Sequence, residues 1–487
     1  MTTPRATSRH RLLAASLVAT LALVAGPAAP GVATAPSWSA TQRVVLPNDG
    51  VSIPQGYLPA LACPSATDCV AVGTYSTASG LVRGLIAQET RGHWSARPIP
   101  LPSDASRTPG LTPYQVACAT TTRCAIVGGY QDTQGSTRPF VTSLAGTTWT
   151  TTRLSLPTDA LTTGQNAQAR AVACPSVTTC VVVGTYLSSD PGSPTEAFAA
   201  FGGSSGWSPA TRITLPPIAA GMPATMVSQM ACSSATACLA AGIFVDQDNV
   251  QHVFVTSETA GHWSPATTLA PPANASLYAH VTVGGVACVA TSCTVVGTYL
   301  DHAGRIEPYA ATSRAGAWAP SIEIALPASA ASDPLTMDYG YVGLACAAPG
   351  SCVTGGQFVD TQGRYQGFLA TETGGVWAPA TEMPLPAGAT SAGHNGGVVA
   401  FSCIAAGDCR AGAAYLDARG HYQAMIVSLL GGTWRAGAPL ALPSGATSVG
   451  VDGGVYALVC QHDGTCVATG SYQAPAGAYQ GFTVQGG

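Results

Sequence analysis

Apolar residues along this chain fall into short runs, and four such runs, separated by polar or glycine-rich gaps, make a unit that recurs along most of its length. In the second unit, Tyr114 to Cys118 reads YQVAC, Cys124 to Tyr130 reads CAIVGGY, Pro139 to Ser143 reads PFVTS and Trp149 to Leu156 reads WTTTRLSL, with Pro157 closing the unit. Val, Ile, Thr and aromatic residues bounded by turn residues predict strands, because branched and flat side chains pack well on a pleated surface. The second run is almost continuously apolar, as in Val181 to Val183 and Thr294 to Val296. Such a run predicts a strand covered on both faces. The first run carries a large apolar residue two before its cysteine: Leu61, Val116, Val172, Met230, Val286, Leu344, Phe401 and Leu458. The residue after it is Ala in six units and Ser402 or Val459 in the others. Small residues suit a crowded strand near an axis, so the first run is expected innermost and the Trp run outermost.

Turn chemistry supports the strands. Between the second and third runs stand Asp132-Thr-Gln-Gly135, Asp301-His-Ala-Gly304, Asp360-Thr-Gln-Gly363, Asp417-Ala-Arg-Gly420 and Asp246-Gln-Asp-Asn249. Asp at the first position and Gly or Asn at the fourth suit a type I turn followed by a left-handed residue. These acids are expected to build turns rather than a site.

Cysteines and tryptophans give the count. The cysteines fall in close pairs, Cys63 with Cys69, Cys118 with Cys124, Cys174 with Cys180, Cys232 with Cys238, Cys288 with Cys293, Cys346 with Cys352, Cys403 with Cys409 and Cys460 with Cys466. The first members of successive pairs are 55 to 58 residues apart. The eight tryptophans, Trp38, Trp94, Trp149, Trp207, Trp263, Trp318, Trp377 and Trp434, keep the same period. Eight units of four antiparallel strands predict an all-β, eight-bladed β-propeller. The chain opens on a Trp run, Trp38 to Leu46, and ends after a third run, Gly481 to Val484. The N-terminal strand is therefore expected to complete the last blade and close the ring; an open solenoid is the alternative, and it would not need this permuted end. Each cysteine pair sits at the facing ends of a hairpin and is expected to be a disulfide. Zinc, the rival reading, prefers closer spacing and a second pair or histidines nearby, so neither metal nor cofactor is expected.

Gly146-Thr-Thr-Trp149 and Gly261-His-Trp263 resemble the tail of the Asp-box, or BNR, motif of sialidase-type propellers. Thr142 and Leu144 stand where that motif opens with Ser and Asp, and the paired carboxylates, activated Tyr and arginine cluster of sialidase chemistry are not found. The units also resemble a cysteine-paired repeat of exported proteins from high-GC bacteria, with ACPSATDCVAVGTY at Ala62 to Tyr75 a typical instance. That resemblance covers nearly all of the chain after the leader and implies a fold and an extracellular address rather than an activity.

The start of the chain agrees with that address. Arg5, Arg9, His10 and Arg11 precede an apolar run from Leu12 to about Gly26 and a small-residue tail ending at Ala35. This is the order of a secretory signal peptide, expected over residues 1–35, with one domain over 36–487. A membrane anchor would need a run of roughly 20 residues, and no later segment is apolar enough to span. Removing 1–35 leaves 16 Arg against 23 acids, a charge of −7, which disfavours nucleic acid as a partner. The absence of Lys reads as coding bias.

Any site is expected where the loops entering the innermost strands crowd the channel mouth. Polar or aromatic residues there are Tyr57, Tyr114, Arg170, His280, Asp338, Tyr339, Tyr341, His394, Asn395 and Asp452. For each of them, an inert solvated loop is the competing reading. The expectation is a secreted, monomeric, non-catalytic binding or scaffold protein with an unknown ligand, glycan or protein. The alternative is a polysaccharide hydrolase or lyase acting at the channel mouth, which two convergent acids would favour.

Overall fold

The computed structural model describes residues 36–487 except 54–57, 192–193, 204–205, 220–223, 277–279, 332–341, 393–399, 438, 447, 451–452 and 476. The leader expected over 1–35 lies outside the described residues. The four runs of each unit form four antiparallel strands, and eight such sheets follow one another as blades. In blade 2 they are Thr112–Thr120, Arg123–Gln131, Thr137–Ala145 and Thr148–Arg153, hydrogen bonded in that order. The innermost strand of each blade packs against that of the next, and Gly454–Cys460 of blade 8 packs against Ala60–Ser65 of blade 1. A solenoid has no such last contact, so the ring is closed.

Closure uses the two ends of the chain. Gln42–Arg43 adds to Tyr479–Gly486 with Gln42 opposite Thr483 and Arg43 opposite Phe482, and Trp38 bridges to Gly486. Polar side chains stitch blade 8 to blade 1: Gln461 Nε2 donates to the Cys63 carbonyl at 2.9 Å and Gln485 Nε2 to the Ala66 carbonyl at 3.2 Å. The edge strand that would otherwise template aggregation is thereby covered.

The core lies between blades. The second strand is buried almost end to end, as in Cys180–Leu187, because both faces of a blade meet a neighbour. The glycine of its Gly-x-Tyr segment is required by close approach: a Cβ on Gly184 would lie 2.1 Å from the Gln168 carbonyl oxygen and 2.7 Å from the Phe198 ring. Gly128, Gly242 and Gly470 are confined in the same way by Phe140, Phe254 and Phe482.

The outer strand departs from the unbroken run expected. Where Pro follows closely on Trp it divides, so that Gly206–Trp207 and Thr211–Arg212 both pair with Thr195–Gly203. Proline has no N–H for the ladder. The next amide turns to the preceding blade, with Ala210 N donating to the Ser155 carbonyl, Ala266 N to Thr214 and Ala380 N to Ala325, each at 2.8 Å. His93–Pro98 and Thr148–Arg153, which have no such proline, run unbroken, whereas the outer strand of blade 8 divides between Trp38 and Gln42 without one, Thr41 N donating to the Ala441 carbonyl at 3.1 Å. Indoles cross the same boundary: Trp149 Nε1 donates to Gln88 Oε1 at 3.2 Å, Trp207 to Ser143 Oγ at 3.1 Å and Trp434 to Thr371 Oγ1 at 3.3 Å. The matching position ahead of Trp263 is Phe201, and that indole N–H has no protein partner.

The disulfides are those expected from the spacing. Cys63 is bonded to Cys69, Cys118 to Cys124, Cys174 to Cys180 and Cys232 to Cys238. In the second half of the ring Cys288 is bonded to Cys293, Cys346 to Cys352, Cys403 to Cys409 and Cys460 to Cys466. The second member of each pair opens the buried second strand, so Cys69, Cys238, Cys352, Cys409 and Cys466 are buried, whereas Cys293, which follows the one shorter loop, is only half-buried. Cysteine pairs such as Cys238 with Cys232 and Cys466 with Cys460 stand directly opposite each other in the ladder, which is what brings the sulfurs together. No cysteine is free among the described residues, which points to an oxidising environment. No helix among the described residues is long and apolar enough to cross a membrane. The turn acids behave as expected: Asp132 Oδ1 accepts from Gln134 N and Ser136 N at 2.9 Å, with Gly135 at φ 76° and Asn249, the one non-glycine substitute, at φ 62°.

Replacing Cys174 and Cys180 together by Ala should cost about 2 kcal/mol in urea denaturation and leave the far-UV circular dichroism intact, since the bridge closes only a short loop. Trp149→Ala should cost about 3–5 kcal/mol. Trp38→Ala should cost roughly half of that, because its ring is only half-buried. Deleting 36–47 uncovers an edge and should lower the melting temperature by more than about 5 °C; a truncated ring melting with the intact one would show that the closing strand contributes nothing.

Candidate functional site

Of the ten candidate residues, Tyr57, Asp338, Tyr339, Tyr341, His394, Asn395 and Asp452 lie outside the described residues. His280 is exposed in the loop leading into the innermost strand Gly285–Val289. Tyr114 and Arg170 are brought together, and the reason is a backbone feature that residue patterning did not anticipate. In blades 2, 3, 4 and 8 the ladder between the first and second strands slips by one residue, between Pro113 and Gln115, Ala169 and Ala171, Val227 and Gln229, and Val455 and Ala457. The extra residues are Tyr114, Arg170, Ser228 and Tyr456. A bulge takes its residue out of the alternating pattern and re-aims the side chain. Here the bulges lie near the loop-side ends of the strands closest to the axis.

The Arg170 guanidinium carbon stands 4.6 Å from the centroid of the Tyr114 ring, a cation–π contact between adjacent blades. Tyr114 Oη donates to Gln168 Oε1 at 3.1 Å, and Gln115 Oε1 accepts from Val172 N at 2.6 Å. The pair is thus fixed from both sides. Arg170 Nε and Ser228 Oγ are buried without a protein partner.

A second polar system, missed in the sequence, lies at the outer part of the blades. The buried tyrosines of the second strands are capped by the acid of a Leu-Pro-x-Asp segment between blades: Tyr75 Oη donates to Asp49 Oδ1 at 3.1 Å, Tyr130 to Asp104 at 2.6 Å and Tyr186 to Asp159 at 3.0 Å. Tyr299 Oη lies 2.8 Å from Asn274 Oδ1 and 2.7 Å from Glu323 Oε2, either of which can accept its one proton. Where Ile218 and Ser329 replace the acid, Phe244 and Phe358 replace the tyrosine, whereas Tyr415 and Tyr472 are kept with Gly388 and Gly445 at the acid's position. The exchange is paired in blades 4 and 6 only, so the sequence signal was partial. Arg153 and Arg212 complete the acids' shells, Arg212 reaching Asp159 at 3.1 Å and Asp190 at 3.0 Å. These acids hold blades together.

Blade 5 differs. Glu307 and Glu323 occupy the positions of Glu196 and Arg212 in blade 3, so an ion pair becomes two carboxylates, on a cleft of about 240 Å³ also lined by Arg305, Leu326 and Phe358. Burial raises Glu307 to about 7, Arg305 opposing and Glu323 adding. The two belong to the third and fourth strands and not to the channel mouth. Among the described residues no group of three or more His, Cys, Asp and Glu side chains could hold a metal ion.

No protein-family model and no curated protein matches the chain. Among solved structures, the α-L-arabinanase of Penicillium chrysogenum complexed with arabinobiose is 15% identical over 81% of this chain and 99% of its own, with a TM-score of 0.37. An ulvan lyase of a polysaccharide lyase family is 10% identical over 82% of this chain and 97% of its own, TM-score 0.42. A sialidase of Trypanosoma rangeli, in complex with the inhibitor DANA, is 10% identical over 80% and 56%, TM-score 0.36. At such identities and scores none of them bears on what this chain does.

Buried glutamates set the pH response, burial raising Glu89, Glu196, Glu307 and Glu372 alike. Burial, and then the Asp68 charge, raise Glu89 to about 7 from 4.5, and Glu307 is raised likewise. Between pH 4.5 and 7 the folded chain holds protons that the unfolded chain has released, so stability falls as pH rises through that window. Asp360 works in the opposite direction: burial would raise it, but hydrogen bonds from Gln366 and Arg364 hold it at about 2. Its contribution is present above the ordinary carboxylate range and is lost as pH falls through the range towards 2. Melting temperature should therefore peak between about pH 4 and 5. Glu89→Gln should flatten the fall towards pH 7; an unchanged pH profile would contradict the assignment.

Proposed function

We propose that this is an extracellular, non-catalytic binding or scaffold propeller, acting as a monomer and taking its ligand, a glycan or a protein, at the loop-side mouth of the channel. The observation that carries this reading is the Arg170–Tyr114 contact: a charged group placed over an aromatic ring, raised on bulges beside the axis and braced by Gln168 and Gln115. Bulges next to the axis are devices for aiming side chains, and a rigid ring that presents braced polar groups loses little entropy when a ligand binds. The hydrolase or lyase alternative needs convergent acids at the mouth. The carboxylate pair among the described residues belongs instead to the outer part of blade 5, and the Leu-Pro-x-Asp acids are bonded to buried tyrosines.

The test is a panel of polysaccharides and oligosaccharides applied to the disulfide-bonded protein, followed by thermal shift and by chromatography of each sugar after prolonged incubation. Binding should raise the melting temperature by about 1 °C or more at hundredfold excess over Kd, with every sugar recovered intact. Shortened sugars would overturn the non-catalytic reading. A panel without any shift would leave the glycan half of it unsupported and turn the search to protein partners.

A further inference from the structure

Resting on that reading of the channel mouth, we propose that Arg170 anchors a carboxylate and that the ligand is a saccharide carrying uronic acids. The guanidinium carbon already lies over the Tyr114 ring, 4.6 Å from its centroid. A guanidinium placed over an aromatic ring keeps the planar fork of N–H groups that grips a carboxylate through two parallel hydrogen bonds. Arg170 forms no ion pair with an acid among the described residues. Its Nε is buried and without a protein partner. A buried donor on a charged group is costly to leave unmade, and a carboxylate paired with the terminal nitrogens offsets that cost through the charge of the guanidinium.

The surroundings of that charge select the rest of the ligand. Bulged polar residues occur in three consecutive blades, as Tyr114, Arg170 and Ser228, and Ser228 Oγ is also buried without a partner. Gln115, Gln168 and Gln229 stand beside them on the same innermost strands. One positive charge set among amides and hydroxyls is the complement of a sugar acid, which carries one carboxylate among hydroxyls. An acidic peptide would bring its carboxylates without the ring hydroxyls that these amides and hydroxyls would complement.

Calorimetric titration of the disulfide-bonded protein tests this with oligomers of galacturonate, glucuronate, mannuronate and guluronate, their carboxyl-reduced neutral counterparts, and triaspartate. At least one uronate oligomer should bind, about tenfold or more tighter than its neutral counterpart. Arg170→Gln should weaken it about 10- to 100-fold and remove the preference over the neutral sugar. Arg170→Lys keeps the charge without the fork and should fall between, which protects the test against a Gln variant that folds poorly. Equal binding of acidic and neutral sugars, or a uronate affinity indifferent to Arg170→Gln, overturns the inference and leaves the binding propeller standing. Triaspartate binding as tightly as any uronate, and just as sensitive to Arg170, overturns the saccharide. Silence from every uronate while neutral sugars raise the melting temperature overturns this inference alone, whereas silence from all sugars removes the glycan reading with it.

Discussion

No blade here can stand by itself, and everything else follows from that. A four-stranded sheet whose middle strands are apolar on both faces must be covered on both faces, and in this chain only another blade does so. The coupling is continuous: apolar side chains interdigitate in the middle, as Val183 and Phe254 do in one cluster, and amides such as that of Ala210 cross to the preceding blade outside. Burial supplies most of the free energy, while the polar crossings fix the angle and register at which neighbours meet.

That division explains which parts could be read in advance. Strand type, order and number were legible because they are set by local periodicity, and an eightfold repetition makes each unit a check on the others. Trp149, Cys118 and Gly135 each mark a position whose role is dictated by its own backbone. The split outer strand was partly legible: Pro209 announces a break, but the landing of the Ala210 amide on Ser155 depends on the next blade. The bulges at Tyr114 and Arg170 were not legible at all, since a one-residue slip leaves the strand composition unchanged and shows only in the pairing. Candidate residues chosen for their position in the repeat therefore included the cation–π pair, while Ser228 and the brace of Gln115 and Gln168 were overlooked.

The rim acids illustrate the same limit from the other side. Leu-Pro-x-Asp reads as turn chemistry in any single unit, and the joint change to Ile218 with Phe244, and to Ser329 with Phe358, only hints at its bond to a buried tyrosine, since Tyr415 and Tyr472 persist beside Gly388 and Gly445. Blade 5 keeps the tyrosine but exchanges arginine for Glu323, so its carboxylates lose the cation that neutralises Glu196 in blade 3. Repeats tolerate such a departure because neighbouring blades hold the ring in place while one interface drifts.

The hairpin disulfides bear on how the ring comes to exist. Each joins cysteines five or six residues apart, so the oxidised chain carries eight hairpin turns already in register before any blade has packed. Blades can then assemble from near neighbours, with little loop closure at each step. The exception is the meeting of Ser39 with Gln485, 446 residues away. Local cross-links cannot hasten that encounter, and its loop-closure cost exceeds that of contacts between neighbouring blades, so by contact order it is expected late in folding, when the ring finds its own beginning.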